Sequence, residues 1–283
     1  MKWTNDRSGN VDDRRGRGGG AVIGGGLGTL IIAAIVFFLG GDPSMVLNSN
    51  MNASSPTTEQ RELTQEEKHV YEFVNMLTGA NEVTWNQLFK EEGIPFQAAK
   101  VVLFEQTTHS GCGTAQSAMG PFYCPADQTI YVDMSFFQEL EKRFGAEVSD
   151  FTVAYVLGHE YGHHIQYLLG TLTKTHQMRQ SGRYTEKQLN EISVATELQA
   201  DFFAGLWANR TNQRQMIIEP GDIEAAISAA EAVGDDNIQR RTQGHVNQES
   251  FTHGSSAQRK EWFMKGYRAQ SIRQGDTFEV LLR

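Results

Sequence analysis

The chain has 283 residues, 39% of them hydrophobic, enough for one large domain or two small ones with a real core. Its net charge of −9, with no long concentration of Lys and Arg, argues against a general nucleic-acid binder. The two cysteines, Cys112 and Cys124, exclude a cysteine-stapled miniprotein, and they fit no C-x-x-C pattern, so thiolates are not the main ligands of a zinc site.

Residues 1–20 are polar and glycine-rich, and Lys2, Arg7, Arg14, Arg15 and Arg17 outnumber Asp6, Asp12 and Asp13. The run from Ala21 to Gly41 carries no charge. A helix needs about 20 apolar residues to cross a bilayer, and this run is just long enough. Its glycines lower helix propensity but suit a close-packed membrane helix. The stretch after it, GDPSMVLNSN, has no Lys or Arg. The positive-inside rule therefore places the N-terminus in the cytoplasm and the rest of the chain in the periplasm or outside the cell. A cleaved signal peptide is the competing reading, but the leader is long and no A-x-A site follows the run. A buried core helix would show a polar face, which is missing. The division expected is a cytoplasmic tail at 1–20, one transmembrane helix at 21–41, a Ser/Thr/Asn-rich tether at 42–61 and a domain at 62–283.

Within that domain, Thr64 to Thr78 reads as a helix with a near capping box and the stripe Val70, Phe73, Val74 and Leu77. Thr84 to Glu92 reads as a second short helix. Strands are expected at Ala99–Thr107 and Gln128–Met134, and a helix after Ser135. Residues 109–127 hold too much Gly and Pro for regular structure. If this region lies outside the cytoplasm, Cys112 and Cys124 form a disulfide; two buried free thiols are the alternative. His109, with no partner at metal spacing, reads as a surface residue.

Asp150 to Gly170 is an apolar helix with Ser149 or Asp150 to cap it and Gly170 to end it. It contains His159, Glu160 and His163 in the spacing H-E-x-x-H. Residues four apart on a helix differ by only about 40° in direction, so His159 and His163 can share one metal ion. Glu160 projects beside them, within reach of a water on that metal, which is the zinc-peptidase arrangement. His164 points about 100° away and is read as non-ligating.

A catalytic zinc needs a third protein ligand. Thr185 to Arg210 is a second helix, with Glu197 and Asp201 four apart among Ala195, Leu198, Ala200, Phe202 and Phe203. Two carboxylates in apolar company are costly unless they serve a charge. Glu197 is the expected ligand, and Asp201 the acceptor that fixes a ligand histidine's tautomer. A solvated acidic stripe is the bland alternative, and Glu191 the rival ligand.

Further on, Gly221-Asp222 opens a helix that Gly234 stops, GDDNIQRRTQG is a loop or helix start, and Trp262, Phe263 and Tyr267 read as core. The chain resembles the bacterial membrane-anchored "putative neutral zinc metallopeptidase" family. The features that carry the likeness are RRG with the GGGLGTL-type apolar run, SGCG…GPFYCPAD, GHEYGHHIQ, TELQADFFAGLWA and GDDNIQRRTQG…ESFTHGSSAQR. H-E-x-x-H with E-x-x-x-D is also similar to the gluzincin class. The resemblance implies a Zn²⁺-dependent peptidase acting on protein or peptide, in an α+β, zincin-like fold, mostly helical with a small sheet. It names no substrate. By the same likeness a downstream histidine and arginine serve the reaction centre, which makes His253 a donor to the oxyanion. The alternative is a loop histidine beside a cap at Ser255 or Ser256, with Arg259 pairing Glu261 or Asp235. The strand at Gln128–Met134 is the expected edge for an extended peptide. A membrane-tethered scaffold with a structural zinc, or a non-peptide metal hydrolase, are the other readings.

Overall fold

The structure, a computed structural model, describes residues 1–16 and 61–281. The fold is α+β and mostly helical. The apolar run at 21–41 and the tether up to residue 60 lie outside the described residues. Among the described residues no helix is long and apolar enough to cross a membrane.

A four-stranded sheet has the order β1 (Val11–Asp13), β2 (Lys100–Leu103), β6 (Thr129–Val132), β5 (Phe122–Cys124). The first three run parallel and β5 is antiparallel to β6, with Tyr123 opposite Ile130. A separate hairpin joins β3 (Thr107–Ser110) to β4 (Gly113–Gln116). The strand expected at Ala99–Thr107 is thus cut in two. Gln106 takes a left-handed φ of 61°, and its N–H turns to Asp133 Oδ2 at 2.9 Å, so the chain leaves the sheet there. Residues 109–127, expected to be irregular, contain β4 and β5, tied by a Cys112–Cys124 disulfide. The strand at Gln128–Met134 was expected to be an edge. As β6 it is interior, and the edges are β1 and β5.

The helices follow: α1 (Gln65–Glu91), α2 (Ser135–Phe144), α3 (Asp150–Leu168), α4 (Thr171–Gln180), α5 (Glu186–Gln215), α6 (Asp222–Ala232), α7 (Asp235–Gln243), α8 (Ser256–Arg268) and α9 (Thr277–Leu281). Thr64, Thr185 and Ser255 cap α1, α5 and α8 with reciprocal capping boxes. Ser149 caps α3, and Gly170, at φ 78°, ends the turn after it. The core is built where α3 and α5 cross, with Trp85, Tyr161, Phe202, Phe203 and Trp207 fully buried around them. Each such side chain contributes roughly 1.5–3 kcal/mol by leaving water.

The N-terminal residues correct two expectations. α1 is one continuous helix, although a break was expected between Thr78 and Thr84. Gly79 does not interrupt it; a Cβ there would lie 2.7 Å from the backbone N of Arg7, so the glycine is where residues 1–16 lie on α1. Those residues were expected to form a tail apart from the domain. They are instead part of it. β1 pairs with β2, Asn75 of α1 bonds Ser8 through both amide atoms, and Arg214 of α5 pairs with Asp6. Arg15 is buried, binding Asp13 and the carbonyl of Glu67. The chain also leaves and returns at one point, with Arg61 N–H donating to the Gly16 carbonyl at 3.0 Å.

Candidate active site

α3 and α5 supply the centre of the site. They approach closely because Gly162 meets Ala200: a Cβ at Gly162 would lie 2.9 Å from the Ala200 carbonyl oxygen. That contact sets the H-E-x-x-H turn of α3 opposite the E-x-x-x-D turn of α5. His159 Nε2 is 3.2 Å from Glu197 Oε2, and His163 Nε2 is 3.5 Å from Glu197 Oε1. One ligand atom from each of the three residues lies within 4.8 Å of the others, and all three are buried. Glu191, the rival ligand, is exposed, and so is His109. His164 is buried but turned away, with Nδ1 on the Tyr123 hydroxyl and Nε2 donating to the Gln97 carbonyl. Two imidazoles and a carboxylate around one point form a donor set suited to zinc, with room for a fourth ligand.

Glu160 is 5% exposed, and its Oε2 has no hydrogen-bond partner among the described residues. Burial, reinforced by the nearby Glu197, pushes its carboxyl up to about 8. A buried carboxylate oxygen without a donor is expensive, and a reacting water fits that place. Glu197 is held well below the usual carboxylate range. Burial opposes its charge, but His163 and His159 outweigh it.

Asp201 does what was expected of it and is more strongly held than the sequence suggested. It accepts from His159 Nδ1 at 2.9 Å. Arg259 of α8 grips it bidentately, Nε to Oδ2 at 2.8 Å and Nη2 to Oδ1 at 2.9 Å, and the Tyr155 hydroxyl donates to Oδ1 at 2.7 Å. Arg259 therefore pairs with Asp201, not with Glu261 or Asp235. Tyr155, read only as part of the apolar face of α3, is the residue missed here. It stands four before His159, so helical spacing could have flagged its hydroxyl.

His253 lies between α7 and α8. Its Nδ1 is 3.1 Å from Asp235 Oδ1, while Asp235 Oδ2 accepts the backbone N–H groups of Thr252, His253 and Gly254. Burial works against the imidazolium, yet the Asp235 charge and, more weakly, Glu197 raise the His253 pKa above its ordinary value. Asp235 was missed because it sits 18 residues before its partner, in a stretch that reads as polar loop.

A sequence profile of the family described as "Putative neutral zinc metallopeptidase" matches residues 1–278. The chain is 39% identical over 289 aligned positions to "Uncharacterized protein YpfJ" of Escherichia coli (strain K12), covering 98% of this chain and 99% of the relative. It is 44% identical over 187 positions to "Uncharacterized protein Rv2575" of Mycobacterium tuberculosis (strain ATCC 25618 / H37Rv), covering 63% of this chain and 61% of that one. No solved structure matches the chain.

Proposed function

This chain belongs to the family described as "Putative neutral zinc metallopeptidase", and from that premise we propose that it hydrolyses peptide bonds with one zinc held by His159, His163 and Glu197 in a zincin-like site. The observation that carries the reading is Glu160. Its buried carboxylate follows the ligand His159 directly in the chain, with one oxygen lacking a donor among the described residues. A purely structural zinc has no use for such a group.

Zinc bound there supplies Lewis acidity that makes water a nucleophile near neutral pH. The residues of the chain do the rest. Glu160, raised to about 8 in the metal-free protein, would be ionised with a divalent cation beside it, and would then take the proton of the attacking water and hand it to the leaving amine. His253, oriented by Asp235, donates to the oxygen that gains charge. Asp201 keeps the proton of His159 on Nδ1, so that Nε2 faces the metal. Of the two sheet edges, β5 is the one packed on α3, where the Tyr123 hydroxyl meets His164 Nδ1 at 3.0 Å, and it would align an extended peptide.

The Cys112–Cys124 disulfide supports the reading that the domain works in an oxidising compartment. Residues 1–16 go with it, because they are docked on it. Membrane attachment, part of the same proposal, rests on the apolar run 21–41 alone.

The test is zinc content by atomic absorption, together with cleavage of an unfolded protein, for the wild type and Glu160→Gln. Expected is about one zinc per chain in both and cleavage by the wild type alone. Zinc retained without cleavage by either would favour a scaffold with a structural metal. Equal cleavage by Glu160→Gln would remove Glu160 from the role of base.

A further inference from the structure

His163 Nδ1 lies 2.8 Å from Gln166 Oε1, three residues on along α3. A glutamine side chain can turn either its oxygen or its NH₂ to a neighbour, so this contact alone does not say which imidazole nitrogen carries the proton. The surroundings of Gln166 decide it. Gln166 Nε2 donates to the Thr196 carbonyl at 2.6 Å and to Gln199 Oε1 at 3.1 Å. Gln199 Nε2 in turn donates to the Gly275 carbonyl at 2.8 Å. Both carbonyls are backbone acceptors and cannot donate. The Gly275 carbonyl requires the NH₂ of Gln199, which leaves Gln199 Oε1 facing Gln166. That oxygen and the Thr196 carbonyl together require the NH₂ of Gln166. Its Oε1 is then the atom left for His163, and His163 must donate from Nδ1. Gln166 is fully buried and Gln199 nearly so, so water does not offer either amide another partner. The far end of the line is fixed as well. A Cβ on Gly275 would lie 2.5 Å from the Phe202 ring, and Thr277 Oγ1 donates to the Ala195 carbonyl at 2.6 Å, which ties the C-terminal segment to α5.

We propose that Gln166 and Gln199 are positioning residues: together they form an amide relay, anchored on the Gly275 backbone carbonyl, that keeps the proton of His163 on Nδ1 and turns Nε2 to the metal. The proposal rests on the reading that His159, His163 and Glu197 hold zinc. It gives the segment after α8 a role in the site, although it lies more than a hundred residues beyond the histidine it serves.

Two readouts on the full chain test it: zinc affinity by competition with a chromophoric chelator, and ¹⁵N NMR of the imidazoles in the metal-free protein. The wild type is expected to show His163 as the Nδ1–H tautomer. Gln166→Met removes the acceptor, and is expected to weaken zinc binding about 10-fold or more and to abolish that tautomer's dominance. Gln199→Met frees Gln166 to turn over, with a smaller loss of a few-fold. Gln166→Glu restores an acceptor for Nδ1 while giving up the donation to Thr196. It is expected to recover most of the zinc affinity lost in Gln166→Met while remaining less heat-stable than the wild type, which a merely structural role for Gln166 would not produce. Zinc affinity unchanged in Gln166→Met, or equally reduced in Gln166→Met and Gln166→Glu, overturns the relay. If the wild type takes up no zinc, the metal reading falls, and the spectrum of the same sample still decides the relay: an Nε2–H tautomer at His163 overturns it.

Discussion

His159 and His163 stand one turn apart on α3 and share Glu197, but each turns its Nδ1 to a different kind of partner. Behind His159 is an ion cluster: Asp201, gripped by Arg259 and topped by the Tyr155 hydroxyl, all buried. Behind His163 is the neutral amide of Gln166. The protonation preferences separate accordingly. Burial works against the charge on both rings, but at His159 the Asp201 carboxylate outweighs it and raises the pKa to about 9, whereas at His163 burial wins and lowers it to about 4. In the metal-free protein, His159 is thus the cation that balances Glu197, and zinc has to displace its proton. One ligand is held by charge and changes protonation above neutral pH, near 9; the other is held by hydrogen-bond geometry and changes protonation only in acid, near 4.

The largest effect that can break this contrast comes from the ion cluster. Arg259→Met leaves Asp201 buried at full charge with only His159 and Tyr155 beside it. Removing one partner of a buried pair costs about 3–5 kcal/mol. Denaturant unfolding of the metal-free protein should show that loss. A cost below about 1 kcal/mol would mean that water or another cation reaches Asp201, and the contrast with His163 would shrink. Next in size is Asp201→Asn. It keeps the shape but lets an NH₂ face His159, and it is expected to weaken zinc binding by about 10- to 100-fold in a chelator titration.

The pH dependence of metal-free stability separates the two histidines directly. A histidine raised from 6.5 to about 9 contributes stability that is fully present below pH 6.5 and is lost as pH rises through 9. Glu160, raised from 4.5 to about 8, loses stability in the same direction between those values. His163, lowered to about 4, acts oppositely: it costs stability only as pH falls from 6.5 through 4. The melting temperature with chelator present should therefore decline from pH 6.5 to 9, and the zinc-loaded chain should decline less. A flat profile over that window without metal would break the assignment of His159.

Sequence spacing served well where helical geometry alone fixes neighbours. The limits of α3, the cap at Ser149, and the pairing of His159, His163, Glu197 and Asp201 follow from a period of 3.6 and a local cap. It failed where the partner is distant in the chain. β1 is three residues long and gains its strand only from β2, almost ninety residues on. The one helix α1 was read as two, ending at Thr78 and resuming at Thr84, because the contact of Gly79 with the backbone of Arg7 joins residues more than seventy apart. Arg259 had acidic neighbours nearer in sequence than Asp201, and only the packing of α8 on α5 decides between them. Gln166 did leave a signal, a polar residue on the buried side of an apolar helix, three after a ligand.

The smallest test is the most selective. Tyr155→Phe removes one hydroxyl from the ion cluster and nothing from the amide side. Asp201 Oδ1 keeps Arg259 Nη2 and His159 Nδ1, so the carboxylate stays paired. The ring keeps its place against Phe263, so no cavity forms. The cost should be that of the bond to Asp201 and of the longer one accepted from Arg259 Nη2 at 3.3 Å, about 0.5–1.5 kcal/mol each by denaturant unfolding. The direction at His159 is the informative part. The Tyr155 hydroxyl spends part of its donation on Asp201; without it the carboxylate bears more negative charge toward His159, whose pKa should rise further, while that of His163 stays where it is. NMR titration of the metal-free variant reads both rings in one experiment. If both move together, the ion cluster and the amide relay are one network, and the division between the two ligands does not hold.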